Sequence, residues 1–171
     1  MKTLPIRALL SIAPLVAALA AGCAATDVKP AAVADIQPTR GNTVEGTVSF
    51  ATRGDQLAVR VKLSGLKPGE HGFHVHEKGD CSAPDATSAG GHWNPGAQPH
   101  GPQSGPHHAG DMPALNADAA GRVDALLTLP GPVDGYVGKA VVVHADPDDY
   151  KTQPTGNSGG RVGCGVIVAA K

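Results

Sequence analysis

Hydrophobic and polar residues alternate along much of the chain beyond residue 42. In "TVEGTVSF", residues 43–50, apolar residues and one glycine occupy every second position from Val44 onward, and "LAVRVKL", residues 57–63, repeats the pattern. A period of two is typical of a strand with one buried face. The intervening "ATRGDQ" carries Gly and Asp, so the two segments predict a β-hairpin.

Four later segments also have the character of strands. "GLKPGEHGFHVHEKG" supplies a Pro-Gly turn followed by a strand with histidines, and the others are "GRVDALLTLP", "GKAVVVHA" and "RVGCGVIVAA". No segment outside the amino terminus sustains the 3.6-residue period of an amphipathic helix. We therefore expect an antiparallel all-β sandwich or flattened barrel.

Two stretches do not fit this strand pattern, residues 79–113 and 145–160, and both are rich in Gly, Pro and polar residues. The first is much longer than an ordinary connection, and such loops in compact domains are usually functional or disordered. A bound metal is the natural candidate for organising it, because it contains several potential ligands. These are His92, His100, His107, His108 and Asp111.

Composition narrows the class of protein further. A chain of 171 residues suits one domain with a real core, and 23 Gly, 15 Pro and 17% charged residues suit short strands joined by many turns. The formal net charge of -1 and the absence of a dense basic patch in the sequence argue against a nucleic-acid partner.

Residues 1–22 are predicted to be an export signal, because Lys2 and Arg7 precede an apolar run that Pro14 interrupts and that is short for a membrane span. Its end, "LAAGC", resembles the lipobox of bacterial lipoproteins, which implies that Cys23 is lipidated after cleavage. An ordinary signal with an incidental cysteine is the alternative.

Residues 23–40 lack a strong period and are predicted to be a lipid-anchored flexible tether, with the folded domain at residues 41–171. The expected location is the bacterial periplasm or cell envelope, with membrane contact through the lipid anchor only. Ala24 after the lipidated cysteine favours the outer membrane.

If Cys23 carries lipid, Cys81 and Cys164 remain as a pair in an oxidising compartment. A disulfide is the economical interpretation, and two unpaired buried thiols are the alternative. The bond would close a loop of roughly 83 residues, worth roughly 4 to 5 kcal/mol on the chain-entropy model.

His74 and His76, one residue apart, would point to the same face of a strand, with Phe73 and Val75 on the other face. For an isolated H-x-H, a pair of solvated histidines is an equally good interpretation. The motifs elsewhere in the chain have to decide between a site and an exposed surface.

Six motifs occur in order: "GFHVHEKGDC", "SAGGHWNP", a histidine eight residues after His92, "HAGDMP", "VVVHADPDD" and "GGRVGCGV". Together they resemble the copper, zinc superoxide dismutases, over roughly residues 41–171. The resemblance implies a Greek-key, flattened eight-stranded barrel with long metal-binding loops. It also implies an oxidoreductase that uses copper and zinc.

The resemblance further implies the ligands of each metal. Four imidazoles suit copper in both oxidation states, whereas three nitrogens and one carboxylate suit tetrahedral zinc. The shared His92 would be an imidazolate stabilised by two cations. The implied copper ligands are His74, His76, His92 and His144, and the implied zinc ligands are His92, His100, His108 and Asp111.

By the same resemblance, Asp148 accepts hydrogen bonds from His74 and His100, and Arg161 attracts the anionic substrate beside copper. His92, as ligand and proton carrier, and Arg161 are the implied catalytic residues. A simple turn aspartate and a solvated arginine are the alternatives. His71 is expected to cap or turn, and His107 to lie at the surface, because the "HAGD" spacing matches the family through His108.

The implied reaction is the disproportionation of superoxide to oxygen and hydrogen peroxide, which would protect the cell envelope. A copper- and zinc-binding protein without turnover would need the same ligands but has no use for Arg161 beside an open copper position. A purely structural zinc protein would leave His74, His76 and His144 without a role. Both a monomer and a homodimer are compatible with the sequence.

Overall fold

The computed structural model describes residues 29–171. The predicted signal at 1–22, the predicted lipidation site Cys23 and the first part of the predicted tether lie outside the described residues. Within residues 29–171, no helix has the length and apolar character needed to cross a membrane.

Ten β-strands and one short turn of 3-10 helix, Thr87–Ala89, make up the regular structure of the described residues. Every strand predicted from the alternation is present, whereas the first, the fourth and the sixth strands were not predicted. The strands are β1 (Ala32–Pro38), β2 (Glu45–Arg53), β3 (Gln56–Ser64), β4 (Gly69–His71), β5 (Phe73–His76), β6 (Leu115–Ala117), β7 (Val123–Pro130), β8 (Ala140–His144), β9 (Arg161–Val166) and β10 (Val168–Ala169).

The strands form one large antiparallel sheet in the order β5-β8-β9-β1-β2-β3-β7, with β10 also paired to β1. A small antiparallel sheet joins β4 to β6. Because β4 directly precedes β5 and β6 precedes β7, the small sheet links the two edges of the large one. The predicted antiparallel all-β class is confirmed.

The structure corrects the predicted start of the folded domain. A flexible tether through residue 40 is wrong for β1, which pairs with β2, β9 and β10 in the middle of the large sheet. The side chains of Ala32, Ala34 and Ile36 are fully buried there. Two of these three are alanines, which are depleted in strands, so the alternation in this segment gives only a weak signal.

The predicted hairpin is confirmed as β2 and β3, which pair from Glu45 with Ser64 to Arg53 with Gln56. Its connection is shorter than the sequence suggested, because the strands continue to within two residues of each other. The apolar side chains at alternate positions of both strands lie in the main hydrophobic core.

β5 separates this core from a polar site. Phe73 and Val75 belong to the core, whereas His74 and His76, also fully buried, lie on the opposite face of the strand. Residues 77–114, which contain no β-strand, cover that face.

Candidate metal centre

Two neighbouring strands carry three of the predicted site histidines. In the pairing of β5 with β8, His74 lies opposite Val142 and His76 lies opposite Ala140. His144 ends β8, where the register with β9 shifts between Val143 and His144. The rings of His74 and His144 lie 4.8 Å apart between centroids. The pleat of two paired strands thus places these side chains on one face.

The long covering loop returns to β5 at two points. Isolated antiparallel bridges join His76 to His92 and His74 to Asp111. The backbone N–H and C=O of Val75 both form hydrogen bonds with the loop, at 2.8 Å. His92 and Asp111, which lie 18 and 37 positions after His74 in the chain, are therefore held against the same strand.

The structure brings the predicted ligands together as two adjacent groups, and within each group the candidate ligand atoms lie within 4.8 Å of one another. Every member of both groups is buried. His92 belongs to both. We call the first set the four-histidine group: His74, His76, His92 and His144. We call the second set the mixed group: His92, His100, His108 and Asp111.

Five buried ring nitrogens in these groups have no hydrogen-bond partner, although an unpaired buried polar atom is costly. In each of the five rings the other nitrogen lies within hydrogen-bonding distance of a carboxylate or backbone carbonyl oxygen. Neutral imidazole nitrogens that lack a protein partner are what a metal needs as ligands. The unpaired atoms are His74 Nδ1, His76 Nε2, His92 Nε2, His100 Nδ1 and His144 Nε2.

In the mixed group, three imidazole nitrogens surround one carboxylate oxygen. Asp111 Oδ1 lies 2.8 Å from His92 Nδ1, 3.0 Å from His100 Nδ1 and 3.3 Å from His108 Nδ1. His100 Nδ1 makes no hydrogen bond despite this distance. Three nitrogens and one carboxylate are a donor set that fits tetrahedral zinc, and four imidazoles fit copper.

Asp148 hydrogen-bonds to one histidine of each group, through the ring nitrogen that is not a candidate metal ligand. His74 Nε2 donates to its Oδ2 at 2.7 Å, and His100 Nε2 donates to its Oδ1 at 2.9 Å. These bonds leave the Nδ1 atoms of both rings facing their groups. Gly156 allows this packing, since a Cβ at this positive-φ position would lie 1.8 Å from Asp148 Oδ1.

Burial makes three members of the four-histidine group, His74, His76 and His144, weak bases. Loss of hydration lowers the pKa of His74 to about 4, of His144 to about 3 and of His76 to about 2. For His74 the hydrogen bond to Asp148 opposes this effect without cancelling it. The three rings are therefore neutral at pH 7, which is the form that binds a metal ion.

The two carboxyls shift in the direction of their charged form. Burial alone would raise the pKa of Asp111, but hydrogen bonds from His92 and from the backbone N–H groups of His108 and Gly101 outweigh it and lower the pKa. The pKa of Asp148 is also lowered, against the effect of burial, by hydrogen bonds from its neighbours. Both groups are anionic at pH 7.

Arg161 and the disulfide lie together at the edge of the four-histidine group. The Arg161 guanidinium donates to the carbonyl oxygens of Ala86 and Gly90 at 2.6 and 2.7 Å. His76 Nδ1 donates to the same Gly90 oxygen at 2.9 Å, so one carbonyl links the arginine to a ring of the group. The predicted disulfide is confirmed between Cys81 and Cys164, and Ala86 is buried in the small cluster around it.

The remaining two histidines stay outside both groups. His71 ends β4 and is buried, and its ring nitrogens lie 2.8 Å from the carbonyl oxygens of His144 and Lys67. His107 is partly exposed, with its ring 2.7 Å from a carbonyl oxygen in its own loop. The expectation that His71 caps or turns is wrong, since it is a buried strand residue whose partners come from tertiary packing and leave no local pattern in the sequence.

Fold and site together define a class: an all-β domain that presents an all-imidazole group and an imidazole–carboxylate group with one member in common. The family model described as copper/zinc superoxide dismutase matches residues 44–167. The chain is 39% identical to a protein of Deinococcus radiodurans named Superoxide dismutase [Cu-Zn], over 94% of this chain and 97% of that protein.

A structural comparison agrees. The crystal structure of the clock protein EA4 is similar, with a TM-score of 0.73 and 35% sequence identity, over 84% of this chain and 97% of that one. The chain belongs to the copper/zinc superoxide dismutase family. It is an oxidoreductase that uses copper and zinc.

Proposed function

We propose that the four-histidine group holds copper, that the mixed group holds zinc, and that His92 binds both metals while the chain disproportionates superoxide. One observation carries the proposal: among the described residues, His92 is the side chain that both groups share. Its Nε2 is buried without a partner, and its Nδ1 lies 2.8 Å from Asp111 in the mixed group. Each edge of the ring thus faces one group.

Copper, when bound, supplies a reversible one-electron change, so that two superoxide anions and two protons give one molecule of oxygen and one of hydrogen peroxide. The residues of this chain would hold the geometry and move protons. His92 Nε2 would carry one of the protons, since the ring keeps its attachment to the mixed group through Nδ1. Asp148 fixes the rings of His74 and His100.

Arg161 supplies a permanent positive charge at the site. Its guanidinium is held by two carbonyl oxygens and pairs with no carboxylate in the described residues, so its charge is available to an anion. We infer that it attracts and orients superoxide. A protein that only stores metal has no need for this charge.

The test is metal analysis and a superoxide disproportionation assay on the same samples. We expect one copper and one zinc per chain with turnover, loss of turnover in His92→Ala, and a rate lower by about tenfold or more in Arg161→Ala with both metals retained. His107→Ala is the matched control, because His107 lies outside both groups. One copper and one zinc without turnover would contradict the proposal and favour a metal-binding protein.

We also propose that the enzyme protects the bacterial cell envelope as a lipoprotein of the periplasm, attached to the outer membrane through Cys23. The signal-like residues 1–22 and the "LAAGC" motif support this. In cells fed a labelled fatty acid, the wild-type protein should acquire label in the outer membrane and Cys23→Ser should not. Equal labelling of both, or of neither, would contradict the lipidation.

A further inference from the structure

His100 lies in a part of the covering loop that has no regular secondary structure, between Pro99 and Pro102. The main chain of His100 forms two hydrogen bonds with the side chain of Gln153. The His100 N–H donates to Gln153 Oε1, and Gln153 Nε2 donates to the His100 carbonyl oxygen, both at 2.8 Å. A primary amide has the donor and acceptor of a peptide group, so it occupies the place that a neighbouring strand would take.

We propose that Gln153 is a positioning residue that fixes the backbone of His100 and thereby slows the loss of zinc from the mixed group. The inference rests on the proposed function, in which His100 is a zinc ligand. Within the described residues, the Gln153 side chain hydrogen-bonds to the main chain of His100 and to Lys151 and to no other member of either group, so its effect would pass through His100.

Three contacts from one segment hold His100. Asp148 accepts from its Nε2 at 2.9 Å, and the Gln153 amide binds its main chain. The ring of Tyr150 lies parallel to the imidazole at 6.4 Å between centroids, and its hydroxyl accepts from the N–H of Ala114 at 2.8 Å. The ring and the main chain of His100, and the covering loop at Ala114, thus all contact residues 148–153.

The segment that presents Gln153 is itself closed by short-range hydrogen bonds. The side chain of Asp149 accepts from the backbone N–H groups of Lys151 and Thr152, both at 2.8 Å, and from the Thr152 hydroxyl at 2.6 Å. The Gly156 N–H donates to the Thr152 carbonyl at 2.7 Å. The Gln153 amide therefore extends from a fixed turn, which lets it restrain His100.

Removing the amide leaves the bond from His100 to Asp148 intact but frees the main chain beside it. Residues that orient a metal ligand typically contribute 10- to 100-fold to metal affinity. Since Gln153 is exposed, so that water competes for its hydrogen bonds, we expect about a tenfold faster release of zinc, at the lower end of that range. Copper affinity should not change.

The experiment compares Gln153→Met with Gln98→Met in the full chain. Both substitutions remove an amide and keep the side-chain length, but the Gln98 amide donates to the carbonyl oxygen of Gly96 and, within the described residues, makes no hydrogen bond to His100. Zinc-loaded, copper-free samples are mixed with an excess of a chromogenic chelator to measure the rate of zinc release. Melting temperatures of the metal-free samples and copper titrations are recorded alongside.

We expect zinc release about tenfold faster in Gln153→Met, a wild-type rate in Gln98→Met, and equal copper affinities and metal-free melting temperatures in all three. Equal rates of zinc release in Gln153→Met and wild type would overturn the inference alone. Equal acceleration by both substitutions, or a lowered metal-free melting temperature that accounts for the faster release, would overturn it as well. A wild-type chain that takes up no zinc would instead overturn the proposed function.

Discussion

At the scale of single residues, the site depends on how each imidazole ring uses its two nitrogens. In five rings one nitrogen bonds to a carboxylate or a backbone carbonyl oxygen, and the other is buried without a partner. A ring with one nitrogen so occupied presents the other in the form that a metal binds. The free energy lost by leaving these nitrogens unpaired is recovered when a metal binds.

The lowered histidine pKa values predict how the metal-free protein responds to pH. Because the pKa values of His74, His76 and His144 are lowered from 6.5 to between about 4 and about 2, the unfolded chain binds more protons than the folded one below about pH 7. The free energy of unfolding should therefore fall as the pH falls below about 6.5, by up to about 1.4 kcal/mol per pH unit for each ring.

Urea unfolding of metal-free protein between pH 7 and pH 5 measures this slope. The triple replacement of the same three histidines by glutamine is the control, and its slope should be smaller. Stability that stays constant or rises on acidification of the metal-free wild type would contradict the assignment of neutral, buried rings.

Asp148 gives a second prediction at this scale. In Asp148→Asn the amide offers one acceptor where two imidazole N–H groups now donate, so one of His74 and His100 loses its partner. We expect zinc affinity to fall by about 10- to 100-fold, as is typical when such a partner is removed. Competition titration with a chelator measures it, with Asp146→Asn as the control because Asp146 is exposed; unchanged affinity in Asp148→Asn would contradict the role of this carboxylate.

At the scale of elements, strands supply three of the four members of the four-histidine group, and the covering loop supplies all four members of the mixed group. Alternation in "TVEGTVSF" and "LAVRVKL" sufficed to predict β2 and β3 because their inward residues are mostly large or branched. β1 was not predicted because two of its three buried residues are alanines. The alternation of apolar and polar residues thus predicts a strand only where the buried residues are large or branched.

The corrected domain boundary predicts the outcome of truncation. A chain that begins at residue 29 keeps all of β1 and should melt cooperatively at the temperature of the longer chain that begins at residue 24. A chain that begins at residue 41 lacks β1, which lies between β2 and β9, and should not fold. Loss of buried Ile36 alone should cost about 2 to 5 kcal/mol. Thermal melting followed by circular dichroism measures this, and a cooperative melt of residues 41–171 at the same temperature would refute the boundary.

The disulfide joins the covering loop to β9. Its removal by Cys81→Ser with Cys164→Ser should lower the free energy of unfolding by roughly 4 kcal/mol, because the closed loop spans 83 residues. The rate of superoxide disproportionation should also fall, since Ala86, whose carbonyl accepts a hydrogen bond from Arg161, packs beside the disulfide. Urea unfolding and the activity assay measure the two effects, with wild type as the reference. Full activity in the double variant would show that Arg161 does not depend on this link.

At the scale of the whole molecule, motif order in the sequence was enough to anticipate the membership of both groups, but not the contacts that support them. Gly90 acts through its backbone carbonyl oxygen, an atom that every residue has. Gln153 acts through a common side-chain amide, on a residue 53 positions away in the chain. Such contacts exist only after the long loop has folded onto the sheet. Residue type and spacing therefore predict the candidate ligands, and tertiary packing decides what holds them.

The central claim is that His92 binds both metals, and anomalous X-ray diffraction from crystals of the oxidised, fully loaded protein tests it most directly. Data collected at the copper and zinc absorption edges locate each element separately. The account predicts a copper peak beside Nε2 and a zinc peak beside Nδ1 of the same His92 ring. A His92 ring that contacts one metal only, or two metal peaks away from this ring, would contradict it.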